Sequence, residues 1–193
     1  MEEIQSFFFS QEAVQAALSV NSDLLKSQDK GSLTYGTTGA KSIYEALRRV
    51  GASTDDSFLD IGCGCGLPVL IASKLGGQAR GVDIVPSMVE FGQKAATRFG
   101  RENTEFLLAN IRHLELGRVD IVYVAATTLT EELRETIKEK LSQLRPGAVV
   151  ITLTYSFQSD ALVLVDTFKS PFAWWGSSEP SVHDFLIHIR RAS

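Results

Sequence analysis

The chain has 193 residues, 44% of them hydrophobic, which fits one domain that can bury roughly 70% of its unfolded surface. Its net charge of −4 gives no overall attraction for nucleic acid, so we expect no nucleic-acid partner. No apolar run reaches the roughly 18 residues of a membrane span, and the acidic start is unlike a signal peptide, which predicts a cytoplasmic protein without a membrane span.

Residues 1–32 predict a helical extension. Apolar residues recur there at three- and four-residue intervals, which favours two short helices broken near Asn21 and Ser22. Three consecutive aromatic residues, Phe7, Phe8 and Phe9, lie in the first of them. We interpret them as core residues packed on the sheet, and the alternative is a lid over the substrate.

A polar loop with two glycines follows at residues 33–39, ahead of a helix predicted over residues 40–50. Such a loop can lie over the C-terminal edge of the first strand of a sheet. Thr37 and Thr38 could also be ordinary caps of the helix that follows. Both interpretations remain open from the sequence.

Residues 58–66, with the sequence FLDIGCGCG, organise the domain, because an apolar strand reaches Asp60 and glycine then occupies every second position. Glycine adopts positive φ at little cost and lets a ligand approach the main-chain amides, so a cofactor is expected on this loop. The next apolar run ends in Asp83, where an acid would accept hydrogen bonds from a ribose diol. Two successive strands that each carry an acidic residue near their C-terminal end predict a nucleoside site. Glycines that served only a tight turn would not explain Asp60 and Asp83 together.

The glycine spacing argues against a dinucleotide cofactor. The dinucleotide fingerprint would place its third glycine at position 67, where the chain has Leu67. Asp60 would also meet like charge beside a pyrophosphate, whereas S-adenosylmethionine (SAM) carries an amino acid and a sulfonium. The acid-x-Gly-x-Gly-x-Gly pattern resembles the first motif of the class I SAM-dependent methyltransferases, and the resemblance covers about residues 33–155.

The resemblance implies an α/β, Rossmann-like fold: a seven-stranded, mostly parallel sheet with helices on both faces and a C-terminal antiparallel hairpin. We expect a single domain made of the helical extension (1–32), a SAM-binding core (33–155) and the hairpin (156–193). In the hairpin turn, Trp174 and Trp175 either pack on the hairpin or rim a substrate pocket. Beyond those already given, the predicted elements are helices over 67–75, 86–98 and 130–144 and strands over 81–84, 105–109, 119–124, 148–153, 162–165 and 182–189.

Further site residues follow from the resemblance. In the family, an Asp or Asn after the third strand lies near the adenine amino group and its neighbour packs on the ring, which points to Asn110 and Ile111. A plain turn asparagine is the alternative. Cys63 and Cys65 are expected to be small loop fillers, and no metal site is predicted. The complete predicted cofactor-binding set is Tyr35, Thr37, Asp60, Gly62, Cys63, Gly64, Gly66, Asp83, Ile84, Asn110, Ile111 and Ala125.

The loop around Tyr35 looks like the tyrosine-containing loop that closes on SAM in the non-SET histone lysine methyltransferases and in the protein-lysine methyltransferases of the mitochondrial ATP-synthase c-subunit type. Residues 125–128 lack the Asn/Asp-Pro-Pro-Tyr/Phe loop of DNA amino-methylases, which disfavours base methylation. We expect a methyltransferase acting on a protein lysine, with Tyr35 and Thr127 catalytic and Thr128 and Tyr155 beside them in the acceptor tunnel. A small-molecule methyltransferase and a non-catalytic SAM-binding module are the alternatives.

Overall fold

The computed structural model describes residues 1–18, 36–174 and 181–192. Tyr35, the helix break predicted near Asn21 and Ser22, and the side chains of Trp174 and Trp175 lie outside the described residues. Within the described ranges, no helix is both long enough and apolar enough to cross a membrane.

The centre of the molecule is a mixed sheet of eight strands. Five neighbouring strands run parallel, and the other three join them in antiparallel pairs. The strands are β1 (Gly36–Thr38), β2 (Phe58–Ile61), β3 (Ala79–Asp83), β4 (Thr104–Leu108), β5 (Ile121–Val124), β6 (Val149–Leu153), β7 (Leu162–Trp174) and β8 (Ser181–Arg190). Their order across the sheet is β1-β7-β8-β6-β5-β2-β3-β4. The predicted α/β class, with its mostly parallel sheet and C-terminal antiparallel strands, is confirmed.

The sheet has one strand more than the predicted seven. The extra strand is β1, whose residues were expected in a loop before the first core helix. It pairs antiparallel with the end of β7, where Thr38 lies opposite Phe172. Three residues are too few to show the period-two pattern of a strand, and the partner lies more than 130 positions away in the chain, so the sequence gives no local signal for this pairing.

Helices cover both faces of the sheet. They are α1 (Glu2–Phe8), α2 (Gln11–Leu18), α3 (Ala40–Arg49), α4 (Leu67–Ser73), α5 (Pro86–Arg98) and α6 (Glu131–Ser142), with a short 3-10 helix at Ile111–His113. One buried cluster joins the sheet to helices α1 to α5, and a second joins its other face to α6. β2 and β5 are buried along their whole length, as expected for parallel strands covered on both sides.

The described part of the N-terminal extension packs against the helices α3, α4 and α5. Phe8 is completely buried, and the ring of Phe7 stacks on Phe91 of α5 with centroids 5.0 Å apart. Phe9 is 43% exposed because it lies one position beyond the buried helix face. A break between helices falls after Phe8, where Ser10 accepts a hydrogen bond from the α2 backbone. Core packing is therefore the correct interpretation of Phe7 and Phe8, with α5 as the partner.

The strand order places a functional edge at the centre of the sheet. From β2 the chain adds β3 and β4 on one side, and β5 and β6 on the other. Between β2 and β5 the direction of winding reverses, and open α/β sheets bind ligands beyond the carboxyl ends of strands at such a point. The glycine loop follows β2 directly at this position.

Candidate active site

Two adjoining clefts lie at the C-terminal edge of the central strands. The first, called the polar cleft, encloses about 780 Å³ of empty space including its open mouth, and its lining includes Thr37, Thr38, Asp60, Tyr123, Thr127 and Thr128. The second, called the apolar cleft, encloses about 580 Å³, and its lining includes Val82, Ile84, Asn110, Ile111, Leu133 and Ile137. Gly62 and Asp83 line both, so the two clefts form one elongated site.

The glycine loop is shaped by positive φ angles at Gly62, Gly64 and Gly66, of 73°, 52° and 87°. A Cβ atom on Gly62 would meet nothing within 4 Å, so this glycine leaves space open beside the clefts. A Cβ atom on Gly66 would lie 2.2 Å from the ring of Phe106 on β4. The third glycine is thus required for packing between α4 and the sheet, and it lines neither cleft.

Asp83, the last residue of β3, holds the glycine loop. One carboxylate oxygen accepts a hydrogen bond from the backbone N–H of Gly64 at 2.8 Å, and the other accepts from Val85 at 2.9 Å. Burial raises the pKa of Asp83, and these backbone hydrogen bonds oppose the shift. Each oxygen keeps a second lone pair, so the carboxylate can also accept from hydroxyl groups in the cleft.

Asp60 is the least satisfied polar group of the site. Its side chain is buried, and neither carboxylate oxygen has a hydrogen-bond partner within the described residues. Burial, followed by the charge of Asp83, raises the pKa of Asp60 well above its ordinary value. A buried carboxylate without a partner is costly. The arrangement therefore suits a ligand that brings a positively charged donor to this position.

Tyr123 is a residue of the site that the sequence analysis missed. It pairs in register with Asp60 on the neighbouring strand, and both line the polar cleft. Its hydroxyl lies 2.5 Å from the hydroxyl of Thr38, and burial raises the pKa of the phenol. In the sequence Tyr123 is one more apolar strand position. The sequence offers no local signal for this role, because the alignment of Tyr123 with Asp60 follows from the register of β2 and β5.

The apolar cleft contains the residues predicted for the adenine. Ile84 and Ile111 line it, and Ile111 is buried. Asn110 also lines it, and its side-chain oxygen accepts a hydrogen bond from the backbone N–H of Arg112 at 2.9 Å. Asn110 thus performs the turn role that was its alternative interpretation, at a place where it also borders the cleft.

The loop after β5 borders both clefts. Ala125, Thr127 and Thr128 line the polar cleft, and Leu129 lines both. Arg134 of α6, which the sequence analysis did not single out, donates a hydrogen bond to the carbonyl of Leu129 at 2.9 Å. This guanidinium therefore ties the loop to α6.

Tyr155 lies apart from the tunnel predicted for it. Its ring packs edge-to-face on Phe157, and the Arg134 guanidinium lies 4.4 Å from its centroid. Neither cleft is lined by Tyr155. The residue follows β6, one strand further from the glycine loop than the Thr127 segment, and its direction could not be read from the sequence.

Most of the predicted site residues come together. Of the predicted set, the polar cleft is lined by Thr37, Asp60, Gly62, Cys63, Gly64, Asp83, Ala125 and Thr127, and the apolar cleft by Ile84, Asn110 and Ile111. The glycine loop joins the two groups.

The fold and the site together define a class of protein. An open α/β sheet presents a glycine loop and two acidic strand residues where its winding reverses, beside an apolar cleft, and one of the two acids is a buried carboxylate without a hydrogen-bond partner among the described residues. This arrangement suits a nucleoside cofactor whose other end carries a positive charge.

Comparison with known proteins identifies the family. Residues 52–176 match the family described as "Methyltransferase domain", and the chain belongs to it. The chain therefore contains a SAM-dependent methyltransferase domain, and SAM combines a nucleoside with a positive charge of the kind that the two clefts suit.

One sequence relative and two solved structures illustrate the similarity. The ribosomal protein L11 methyltransferase of Clostridium botulinum (strain Eklund 17B / Type B) is 30% identical over 123 residues, which cover 63% of this chain and 38% of that relative. An RNA methyltransferase from Salinibacter ruber in complex with S-adenosyl-L-homocysteine has a TM-score of 0.65 at 19% identity, covering 81% of this chain and 95% of that one. A putative RNA methyltransferase from Pyrococcus horikoshii has a TM-score of 0.67 at 12% identity, covering 93% and 99%. These two structures show the fold alone.

Proposed function

We propose that this methyltransferase methylates an amine nitrogen of a protein, namely a lysine side chain. The observation that carries the proposal is the lining of the polar cleft around Thr127. Apart from the acids assigned to the cofactor, this lining offers hydroxyl and apolar groups, from Thr37, Thr38, Thr127, Thr128 and Phe172. Such a wall suits an uncharged acceptor that enters end-on.

The cofactor residues fit SAM in their chemistry. Asp60 would accept from the ammonium of its amino-acid end, which satisfies the unpaired carboxylate. Asp83 would accept from the ribose hydroxyls while it holds the loop, and Ile84 and Ile111 would contact the adenine. When bound, SAM supplies an electrophilic methyl group on a sulfonium.

The acceptor residues have two tasks, which are to bind the amine unprotonated and to orient it. Burial between uncharged walls disfavours an ammonium, so a lysine that enters the cleft is more easily deprotonated. The hydroxyl of Thr127 can accept a hydrogen from the amine nitrogen and direct its lone pair into the cleft, and we assign Tyr35 a similar role. Alignment and exclusion of water then provide the catalysis, without a strong base.

The relative with a stated substrate supports a protein acceptor. The Clostridium botulinum enzyme is named for methylation of ribosomal protein L11, and its aligned segment covers 63% of this chain. The chain spans 38% of the length of that relative, so the substrate itself is not transferred to this protein.

The test uses methyl-labelled SAM and an extract of cells that lack the gene. Purified protein is incubated with both, and label is counted separately in protein, RNA and small-molecule fractions. We expect a discrete labelled protein band whose acid hydrolysate contains methylated lysine. A Thr127→Val variant, which keeps the side-chain shape and removes the hydroxyl, should label the band more slowly.

Each other outcome would contradict the proposal. Label confined to small molecules would support the alternative of a small-molecule methyltransferase, and label in RNA would support a nucleic-acid substrate. Label in protein at a residue other than lysine would retain the protein acceptor and reject the amine of lysine.

A further inference from the structure

One wall of the polar cleft comes from the far edge of the sheet. β1 is a terminal strand, and β7, β8 and β6 stand between it and β5. At roughly 4.8 Å per strand, a flat sheet would separate β1 from β5 by about 19 Å. The hydroxyl of Thr38 on β1 nevertheless lies 2.5 Å from that of Tyr123 on β5. The end of β7, with β1 attached, therefore folds back across the C-terminal edge of the sheet.

This wall consists of Gly36–Thr38 together with Phe172. Thr37, Thr38 and Phe172 are all buried, and they line the polar cleft with Asp60 and Tyr123. Behind the wall, a second pair of buried hydroxyls joins α3 to β7 outside both clefts, with Ser170 donating to Ser42 at 2.7 Å. One hydrogen bond, from Ser170 to Ser42, therefore connects β7 beside the wall to α3, and another, between Thr38 and Tyr123, connects the wall to β5.

The hydrogen bond between Thr38 and Tyr123 differs from the bond between Ser170 and Ser42 in the hydroxyl hydrogen that it leaves available to the cleft. Two hydroxyl groups carry two hydrogens, and the bond between Thr38 and Tyr123 uses one of them. The other hydrogen can be directed to a ligand in the polar cleft, which both residues line. A ligand that accepts this hydrogen therefore contacts the group that holds the wall.

We propose that Thr38 and Tyr123 form a latch that positions the wall over the cofactor, so that SAM binding and wall position depend on each other. Both are positioning residues, since they act through the shape of the cleft. The proposal rests on SAM binding and does not depend on the identity of the methyl acceptor.

The test is a double-mutant cycle on SAM affinity measured by calorimetry. Thr38→Val and Tyr123→Phe each remove one hydroxyl with little change of shape. Because each breaks the same hydrogen bond, we expect each to raise the Kd of SAM roughly three- to tenfold, and the double variant to be no weaker than the weaker single variant. Thr38→Ser keeps the hydroxyl and should restore an affinity close to wild type.

Ser73→Ala provides the control. Ser73 is buried on α4 and lines neither cleft, and its hydroxyl donates to the carbonyl of Leu70 at 2.8 Å, so its loss should lower the melting temperature and leave the Kd of SAM unchanged. Hydrogen exchange supplies a second readout. SAM should slow exchange of the β1 amides in the wild type and in Thr38→Ser, and should slow it much less in Tyr123→Phe.

Two results would overturn the latch. One is an unchanged Kd in Thr38→Val and Tyr123→Phe, and the other is a double variant whose loss is the product of the two single losses. A failure to find a methylated protein would leave all these measurements valid, so the latch and the proposed acceptor are tested independently.

Discussion

Replacing Asp83 by asparagine tests the central feature of the cofactor site. The two carboxylate oxygens accept hydrogen bonds from the backbone N–H groups of Gly64 and Val85, and asparagine has a single oxygen with which to do so. Its NH2 group would face the other backbone N–H, donor against donor. The substitution therefore disturbs the loop and removes the charge that would hold the ribose.

The magnitude follows from the bonds that change. A hydrogen bond to a charged group contributes about 1.5–3 kcal/mol, and at least one such bond to the ribose would be lost. The Kd of SAM should rise roughly ten- to hundredfold. The lost bond to the loop should lower the free energy of unfolding at the same time.

Asp120 allows the two effects to be separated. It lies just before β5, where one of its oxygens accepts from the backbone N–H and the hydroxyl of Ser57, both at 2.7 Å. Asp120→Asn should therefore lower the melting temperature in a comparable way and leave the Kd of SAM unchanged by calorimetry. If Asp83→Asn loses stability and still binds SAM with wild-type affinity, the assignment of Asp83 to the ribose is wrong.

Three further predictions concern single residues of the site. Gly66→Ala should lower the melting temperature strongly because its Cβ would collide with Phe106, whereas Gly62→Ala should mainly weaken SAM; equal effects on stability in a thermal melt would contradict this division. Because Asp60 has a raised pKa, the free energy of unfolding without SAM should fall as pH rises from the ordinary carboxyl pKa of about 3.9 towards the raised value. Asp60→Asn should remove that fall and raise the melting temperature at neutral pH while weakening SAM; a lower melting temperature would refute the unpaired acid. Arg134→Met, which loses the donor to the loop after β5, should reduce kcat/KM about tenfold in steady-state kinetics, and a variant with full kcat/KM would show that the contact is dispensable.

The features that could be predicted from the sequence are those determined by residues close together in the chain. The strand, the acid and the alternating glycines around Asp60 lie within nine consecutive residues, and positive φ at Gly62 and Gly64 is a local requirement. The helix over Pro86–Arg98 has the predicted bounds, because proline at its first turn marks its start. Local chemistry was sufficient to predict the glycine loop and its positive φ angles.

The features that it missed depend on contacts between distant segments. Thr38 and Tyr123 are 85 positions apart and meet only because the end of β7 folds over the sheet. The packing role of Gly66 depends on Phe106, which is placed by the pairing of β3 with β4. Such contacts follow from strand register and from the path of the hairpin, and no periodicity within one segment encodes either.

The origin of the wall has a consequence for how the enzyme can change. The family match covers residues 52–176, so Gly36–Thr38 lies ahead of the matched segment, while Phe172 and the glycine loop lie inside it. The β1 side of the wall can therefore be altered by substitutions within Gly36–Thr38 without redesign of the glycine loop, as long as its pairing with β7 is kept. The latch sets one requirement for such changes, which is a hydroxyl at position 38 to meet Tyr123.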